Sequence, residues 1–196
     1  MPHYYTNDNN YTNLEYHFDY TFKGKEFRFV ANDGVFAKKR VDFGTNVLIN
    51  SLEDLSNKKV LDMGCGVGTI GILIAKGFNK TKVLMCDVNK KAVELANANI
   101  INNNVTNAKA VESNLYEGID ESFDVIVSNP PIRAGKQIVH GVVKEGYNYL
   151  NDGGFIYIVI QKKQGAESMK KVMEESFGNV TIVNKENGYM VYKSQK

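Results

Sequence analysis

The alternation of apolar and polar positions divides the chain into a short N-terminal part and a longer part of alternating strands and helices. Residues 1–13 are polar and rich in Asn and Tyr, which predicts an irregular arm. Residues 16–31 alternate apolar and polar side chains on both sides of Lys23-Gly24-Lys25. A period of two places alternate residues on one face, so this segment is predicted to be a β-hairpin. A helical run, VLINSLEDL, follows Gly44-Thr45.

From residue 58 onward, apolar strands alternate with helical segments, which indicates βαβ units. Right-handed crossovers then give an α/β protein with a doubly wound, mostly parallel sheet of seven strands. One strand of the C-terminal hairpin is expected to run antiparallel, because a hairpin cannot be wholly parallel. The predicted strands are 59–63, 82–87, 108–113, 123–129, 155–161 and two strands within 180–193, joined by a turn at Asn187-Gly188. The predicted helices are 67–77, 88–104, 136–150 and 165–176.

Length and composition place the chain among ordinary globular proteins. It has 196 residues, of which 43% are hydrophobic and 23% charged, and this excludes a disordered, collagen-like or coiled-coil protein. We expect one compact unit, with residues 1–57 packed on a core domain of residues 58–196. No apolar run approaches the ~20 residues of a membrane span, and the N-terminus lacks the pattern of a signal peptide. The sequence therefore predicts a cytoplasmic protein, and its two cysteines predict neither a disulfide framework nor a metal site.

The strongest chemical motif is Val60–Gly71, where a buried strand leads into three alternating glycines and then a helix. Glycines allow a sharp turn and the close approach of a ligand, and the helix N-terminus favours a polar or negative group. Asp62, two residues before the first glycine, suits an amino-acid ammonium group better than a pyrophosphate. Asp87 ends the next strand, where a carboxylate can accept both hydroxyls of a ribose. Together they favour S-adenosylmethionine as the ligand.

Other interpretations of this motif stay open from the residues alone. The segment Gly66-x-Gly68-x-x-Gly71 also matches the dinucleotide fingerprint, so a nicotinamide-dependent oxidoreductase is one alternative. A turn that only eases the packing of strand and helix is another. For Asp87, the alternative role is the N-cap of the helix over 89–103, and that role is compatible with ribose binding.

A second motif, Ser128-Asn129-Pro130-Pro131, ends the strand at 123–129. The prolines fix φ, remove two backbone donors and hold the preceding residue extended, so the loop is rigid. It presents the Asn129 side-chain oxygen and the Pro130 carbonyl, which can each accept one N–H of a planar amine. The amine lone pair is then directed at a methyl donor. The alternative is a turn after a strand with a structural role only.

These motifs resemble class I S-adenosylmethionine-dependent methyltransferases, and in particular the catalytic domain of small-subunit ribosomal RNA guanine-N2 methyltransferases. The resemblance rests on LDMGCGVG, Asp87 and SNPPIRAGK, supported by GVFAKKRVDFGT and GGFIYIVIQKKQGA. It implies a Rossmann-like methyltransferase fold. It also implies cofactor contacts from Asp62, Gly64, Cys65, Gly66, Gly68, Asp87, Val88, Asn114, Asn129 and Thr45. The target amine would be held by Asn129, Pro130 and Pro131.

The resemblance implies methyl transfer from S-adenosylmethionine to an exocyclic amine of a nucleobase, with guanine N2 in ribosomal RNA preferred. Adenine N6 and a protein glutamine amide are the alternatives with the same chemistry, and a catalytically silent RNA-binding module is an alternative of another class. Family members usually have an aromatic residue after Asn-Pro-Pro. Here it is Ile132, which can still cover one face of a base.

The net charge of +2 is unevenly distributed along the chain. Residues 129–171 contain seven Lys or Arg side chains and three Asp or Glu side chains, so the positive surplus begins at Asn129. Basic side chains in such a place can position RNA through its phosphates. The candidate RNA contacts are Ile132, Arg133, Lys136, Lys162, Lys163 and the cluster Lys38-Lys39-Arg40. The alternative is a solvent-exposed charged surface that does not bind RNA.

Overall fold

The computed structural model describes residues 14–32 and 40–196. The predicted N-terminal arm, Lys38 and Lys39 lie outside these residues. The strands are β1 (Glu15–Phe22), β2 (Lys25–Asn32), β3 (Lys59–Met63), β4 (Lys82–Asp87), β5 (Ala108–Glu112), β6 (Phe123–Ser128), β7 (Leu150–Gln161), β8 (Thr181–Glu186) and β9 (Tyr189–Gln195). The helices are α1 (Phe43–Asn50), α2 (Thr69–Gly77), α3 (Lys90–Asn102), α4 (Lys136–Tyr149) and α5 (Ala166–Phe177), with short 3₁₀ turns at Ile132–Ala134 and Lys162–Gln164.

Seven strands form one sheet in the order β5-β4-β3-β6-β7-β9-β8. The strands from β5 to β7 are parallel neighbours, whereas β9 runs antiparallel to both β7 and β8. This confirms the doubly wound, mostly parallel sheet with a C-terminal antiparallel strand. The chain moves outward from β3 to β5 and then returns to β6 on the other side of β3, so the strand order reverses between β3 and β6. In open α/β sheets, ligands bind at the carboxyl ends of the strands beside such a reversal.

The two faces of the sheet are covered by different elements because alternate strand residues point to opposite faces. Val60 belongs to the cluster that the hairpin, α1, α2 and α3 complete, whereas Leu61 belongs to the cluster with α4 and α5. The phenylalanines of the hairpin are core residues: Phe18, Phe22, Phe27 and Phe29 are all buried. The result is a three-layer structure with a separate two-stranded sheet at one side.

Asparagines of α3 join the hairpin to the rest of the molecule. The Asn99 side chain accepts from Val30 N at 2.8 Å and donates to Val30 O at 2.9 Å. Asn103, one turn later, makes the same pair of bonds with Arg28. Residues four apart on a helix lie on one face, so the two amides together act as a partner strand for the free edge of β2. Asn97 covers the edge of β5 in the same way, at Ala110.

The first helix lies earlier in the chain than the sequence predicts. The run VLINSLEDL covers residues 47–55, but α1 begins at Phe43 and ends at Asn50. Asp42 is its N-cap and accepts a hydrogen bond from Thr45 N at 3.3 Å, and Ser51 ends the helix. An aspartate at this position satisfies a backbone donor of the first turn and therefore sets where the helix begins.

Candidate functional site

The turn between β3 and α2, residues 64–68, is a compact loop that we call the cofactor loop. Gly64, Gly66 and Gly68 all have positive φ, at 75°, 55° and 84°, a conformation that side chains other than glycine rarely adopt. Gly64 N and Cys65 N both donate to Cys86 O, at 2.8 and 2.9 Å. The loop is therefore tied to the end of β4, and its alternating glycines are a requirement of the backbone.

Gly68 and one further glycine, Gly71, serve packing. A Cβ at Gly71 would overlap the Met85 side chain, and a Cβ at Gly68 would lie 3.1 Å from Ala96 Cβ. These glycines allow α2 to lie directly against β4 and α3. The last glycine of the apparent dinucleotide fingerprint is thus explained by the close contact of helix and strand.

Asp62 lies beneath the cofactor loop and is completely buried. Its Oδ2 accepts from Gly71 N at 2.8 Å, and its Oδ1 has no hydrogen-bond partner. Burial raises the pKa of Asp62 to about 7; the Gly71 bond opposes this shift and the charge of Asp87 adds to it. A buried acceptor without a partner is uncommon in folded proteins, and it marks Asp62 as a candidate ligand contact.

Asp87 ends β4 and connects the cofactor loop to the start of α3. Its Oδ2 accepts from Gly66 N at 2.8 Å and its Oδ1 from Asn89 N at 2.9 Å. The alternative role of Asp87 as the helix N-cap is wrong, because Asn89 is the N-cap and accepts from the backbone N–H groups of Lys91 and Ala92. Val88, which follows Asp87, is 38% exposed and presents an apolar surface beside it.

Residues 129–131 follow β6 and form what we call the acceptor loop. Ser128 Oγ donates to Met63 O at 2.6 Å, which joins the end of β6 to the end of β3. A Cβ at Gly64 would lie 3.5 Å from Pro131 Cδ, so the two loops face each other at van der Waals distance. Pro130 is buried and Asn129 is half-buried. The structure therefore brings together the two motifs that the sequence analysis singled out.

The Asn129 side chain is held from α1. Its Nδ2 donates to Asp42 Oδ2 at 2.9 Å and to Thr45 Oγ1 at 3.1 Å. Sequence reasoning missed Asp42. Its capping pattern was readable in the sequence, but its contact with a residue 87 positions away was not. Thr45, a predicted cofactor contact, is buried, and its hydroxyl oxygen accepts a hydrogen bond from Asn129. Its contact with a cofactor stays a prediction.

The remaining predicted cofactor residues lie around the same edge. Asn114 follows β5, is exposed, and donates to Glu117 Oε1 at 3.1 Å. Cys65 is buried in the cofactor loop, and burial raises the pKa of its thiol well above the usual range. Burial likewise raises the pKa of Cys86 to about 12. Both thiols are therefore neutral at physiological pH and serve as packing groups.

The predicted RNA-contacting side chains follow two neighbouring strands. Arg133 and Lys136 come after β6, and Lys162 comes after β7, which is parallel to β6. All three are exposed, as is Arg40, and Ile132 is half-buried beside the acceptor loop. Carboxyl ends of parallel strands lie at one edge of a sheet, so Arg133, Lys136 and Lys162 lie at the same edge as the acceptor loop. Their contact with RNA stays a prediction.

Two structural features are absent from residues 14–32 and 40–196. None of the helices there has both the length and the apolar character required to cross a membrane. The same residues contain no cluster of three or more His, Cys, Asp or Glu side chains arranged to hold a metal ion.

Comparison with known proteins gives one family and several relatives. Residues 26–193 match the methyltransferase small domain family. The chain is 41% identical to the uncharacterized protein YbxB of Bacillus subtilis, over 99% of this chain and 98% of that protein. It is 31% identical to ribosomal RNA small subunit methyltransferase C of Citrobacter koseri, over 82% of this chain and 47% of that protein. The chain thus spans about half the length of the latter relative.

A solved structure shows the same fold. The T. thermophilus 16S rRNA N2 methyltransferase RsmC, in complex with AdoMet and guanosine, superimposes with a TM-score of 0.84 at 25% sequence identity. The match covers 93% of this chain and 51% of that one. A ribosomal protein L11 methylase from Lactobacillus delbrueckii matches with a TM-score of 0.65 at 20% identity, which shows a shared fold only.

Proposed function

Since the chain belongs to the methyltransferase small domain family and is an S-adenosylmethionine-dependent methyltransferase, we propose that it methylates the exocyclic N2 amine of guanine in ribosomal RNA. The observation that carries this proposal is the acceptor loop, with Asn129 held against α1 and Pro131 facing Gly64 of the cofactor loop. An amine acceptor and a methyl donor are thereby expected on opposite sides of one narrow space. Methyl transfer, and not the nicotinamide chemistry considered as an alternative, is the activity that family membership supports.

The residues of the cofactor loop fit S-adenosylmethionine. Asp62 Oδ1 is a buried acceptor without a partner and would receive the methionine ammonium group. Asp87 accepts the backbone N–H groups of Gly66 and Asn89, which fix its carboxylate at the end of β4, where it would receive the ribose hydroxyls. Val88 and Asn114 would lie against the adenine. Cys65 and the glycines supply the backbone that the methionine portion contacts.

The acceptor loop fits a planar amine. S-adenosylmethionine supplies a methyl group on a sulfonium centre, a leaving group that needs no further activation. The protein therefore needs mainly to align the two reactants, and such alignment can lower the activation barrier by roughly 7–11 kcal/mol. Asn129 Oδ1 and the Pro130 carbonyl would each accept one N–H of the amine. These dipoles also favour the positive charge that grows on nitrogen as the methyl group arrives.

The choice of guanine in ribosomal RNA rests on the relatives together with the charge distribution. The Citrobacter koseri relative is named a ribosomal RNA methyltransferase, and the T. thermophilus structure contains guanosine. Around the acceptor loop, the exposed cations Arg133, Lys136 and Lys162 would hold RNA phosphates, and Ile132 would cover one face of the flipped base. Arg40 would extend this cationic surface on the side of α1.

The test is the identity of the methylated nucleoside. The purified protein would be incubated with deuterium-labelled S-adenosylmethionine and either deproteinised ribosomal RNA or intact small subunits from a strain lacking the gene. Mass spectrometry of the digested RNA is expected to show labelled N2-methylguanosine. The two acceptors also distinguish free RNA from the assembled subunit as the substrate.

Other products would overturn the assignment. Labelled N6-methyladenosine, or label confined to ribosomal protein, would refute guanine N2 while leaving the amine chemistry intact. The absence of label from every RNA and protein, under conditions in which S-adenosylhomocysteine binds, would favour the silent RNA-binding module.

A further inference from the structure

The start of α1 contacts the acceptor loop at Asn129, the side chain proposed to hold the target amine. We infer that Asp42 is a positioning residue, which together with Thr45 fixes the amide of Asn129 so that Oδ1 is presented to the target amine. This inference rests on the proposed function. It concerns how an amine acceptor is oriented, and it holds for guanine N2 and adenine N6 alike.

An asparagine amide has two chemically different ends, and the target amine can use only one of them. The amine donates N–H groups, so it requires Oδ1, whereas Nδ2 is itself a donor. In the structure both hydrogens of Nδ2 have acceptors, Asp42 Oδ2 at 2.9 Å and Thr45 Oγ1 at 3.1 Å. A flipped amide would place Oδ1 against the Asp42 carboxylate, where two acceptors would repel. The pair therefore excludes the unproductive orientation.

Asp42 is itself held in place, so it can act as a fixed reference. It caps α1 through Thr45 N at 3.3 Å, and the residue after next, Gly44, packs on Tyr189 of β9. A Cβ at Gly44 would lie 2.9 Å from Tyr189 Cε1 and 3.0 Å from Asp42 Oδ2. The Phe43 ring also contacts Tyr189, with centroids 5.4 Å apart. The start of α1 is thus fixed against the sheet through a strand that is remote from the acceptor loop in sequence.

Thr45 provides the second acceptor from a buried position, with a relative exposure of 7%. Its hydroxyl oxygen accepts from Asn129, and its backbone N–H donates to Asp42 Oδ2. The three residues therefore form a closed network in which each is hydrogen-bonded to the other two. Removal of either acceptor is expected to misplace Asn129 Oδ1 without changing the cofactor loop.

The test compares Asp42→Ala, Thr45→Val and Asp42→Asn in methyl transfer to deproteinised ribosomal RNA. Misplacement of a reacting group by about 1 Å can cost about 10²-fold in rate, so Asp42→Ala is expected to lower kcat by about that factor. Thr45→Val, which removes one of two acceptors, is expected to lower kcat by a smaller factor. Affinity for S-adenosylhomocysteine, measured by calorimetry, is expected to stay within a few-fold in the two Asp42 variants.

Asp42→Asn separates orientation from charge. The carbonyl of the new asparagine can accept from both Asn129 Nδ2 and Thr45 N, so it preserves the cap and the orientation while removing the charge. It is expected to restore most of the kcat that Asp42→Ala loses. Asp54→Ala is the matched control, because Asp54 is an exposed acid whose side chain accepts only from Ser56. This control is expected to leave kcat unchanged.

A swap gives a stricter test. Asn129→Asp alone places two carboxylates against each other, whereas Asp42→Asn combined with Asn129→Asp restores a donor between them. The double variant is expected to be at least about 10-fold more active than Asn129→Asp. Wild-type kcat in both Asp42→Ala and Thr45→Val, or an Asp42→Asn variant as slow as Asp42→Ala, would overturn the inference while leaving the guanine product in place. An adenine product from the wild type would refute the guanine assignment and leave the positioning role intact.

Discussion

The cofactor loop and the acceptor loop follow neighbouring central strands, yet they are held in place by different kinds of contact. The cofactor loop is fixed by its own backbone: three glycines at positive φ, with N–H groups bonded to Cys86 O and Asp87 Oδ2 at the end of the next strand. The acceptor loop is fixed by side chains, because Asn129 depends on Asp42 and Thr45 from a helix that precedes both strands.

This difference separates binding from turnover. The cofactor loop is a local motif, so most of its contacts lie within about one βαβ unit, and damage to it is expected to reduce cofactor affinity. The acceptor loop depends on contacts between distant segments, so damage to it is expected to reduce turnover while the cofactor still binds. Single substitutions in each loop can therefore test the comparison.

The largest effect is expected for Asn129→Ala. This variant removes the side-chain acceptor for the target amine, and loss of one preorganised group of this kind costs about 10²–10³ in kcat. The Kd for S-adenosylhomocysteine is expected to change by only a few-fold. Single-turnover methyl transfer and calorimetry would measure the two quantities. Asn50→Ala is the control, because Asn50 is exposed and its side chain bonds only to Asn46. Near wild-type turnover in Asn129→Ala would contradict the amine-clamp role.

Asp87→Ala is expected to have the opposite profile. It removes both the proposed ribose acceptor and the bond to Gly66 N, so the Kd for S-adenosylhomocysteine is expected to rise by about 10- to 100-fold, equivalent to about 1.4–2.8 kcal/mol. At saturating S-adenosylmethionine, kcat is expected to recover much of its value. Asp120→Ala, which removes an exposed acid, controls for the change in net charge. An unchanged Kd in Asp87→Ala would remove the argument that Asp87 binds the ribose.

The smallest effect is a pH dependence that originates at Asp62. Burial raises the pKa of Asp62 to about 7, so the folded protein holds this proton more tightly than the unfolded chain does. The resulting stabilisation is complete below the unfolded pKa of about 3.9 and is lost as the pH rises through about 7.

Asp62→Asn keeps an acceptor for Gly71 N but cannot titrate. Relative to the wild type, the Tm of this variant without cofactor is therefore expected to rise between pH 5 and pH 8. The proposed ammonium contact adds a second signature: wild-type affinity for S-adenosylhomocysteine is expected to increase as Asp62 ionises, and this increase is expected to be absent in the variant. Parallel Tm curves for the two proteins across this pH range would show that Asp62 does not titrate there.

Several features of the fold and site were predictable because they depend on local pattern. The alternation of apolar strands and helices predicted the doubly wound sheet, and the structure confirms it. The two motifs predicted where polar groups would converge, since parallel strands place their carboxyl ends at one edge. The start of α1 was predicted wrongly, because the Asp42 cap sets it before the apolar run that begins at Val47.

The asparagines of α3 show a signal that pattern reasoning did not use. Asn is a weak helix former, yet Asn97, Asn99 and Asn103 lie within or at the end of this helix. Their side chains replace missing strand partners at the edges of β2 and β5, and Asn99 also donates to Val67 O in the cofactor loop at 2.9 Å. Asparagines inside a regular helix therefore indicate that their side chains form tertiary hydrogen bonds. The sequence does not identify the partners of those bonds.

The sequence by itself determined the cofactor loop, because a turn with alternating positive φ needs glycine at defined positions. The two acids of this site, Asp62 and Asp87, belong to the neighbouring strands β3 and β4. It also determined the rigidity of the acceptor loop through its two prolines. Only the tertiary structure decided the orientation of Asn129, the insertion of β9 between β7 and β8, and the role of Asp42. These depend on hydrogen bonds between residues far apart along the chain, and such contacts leave no local periodicity in the sequence.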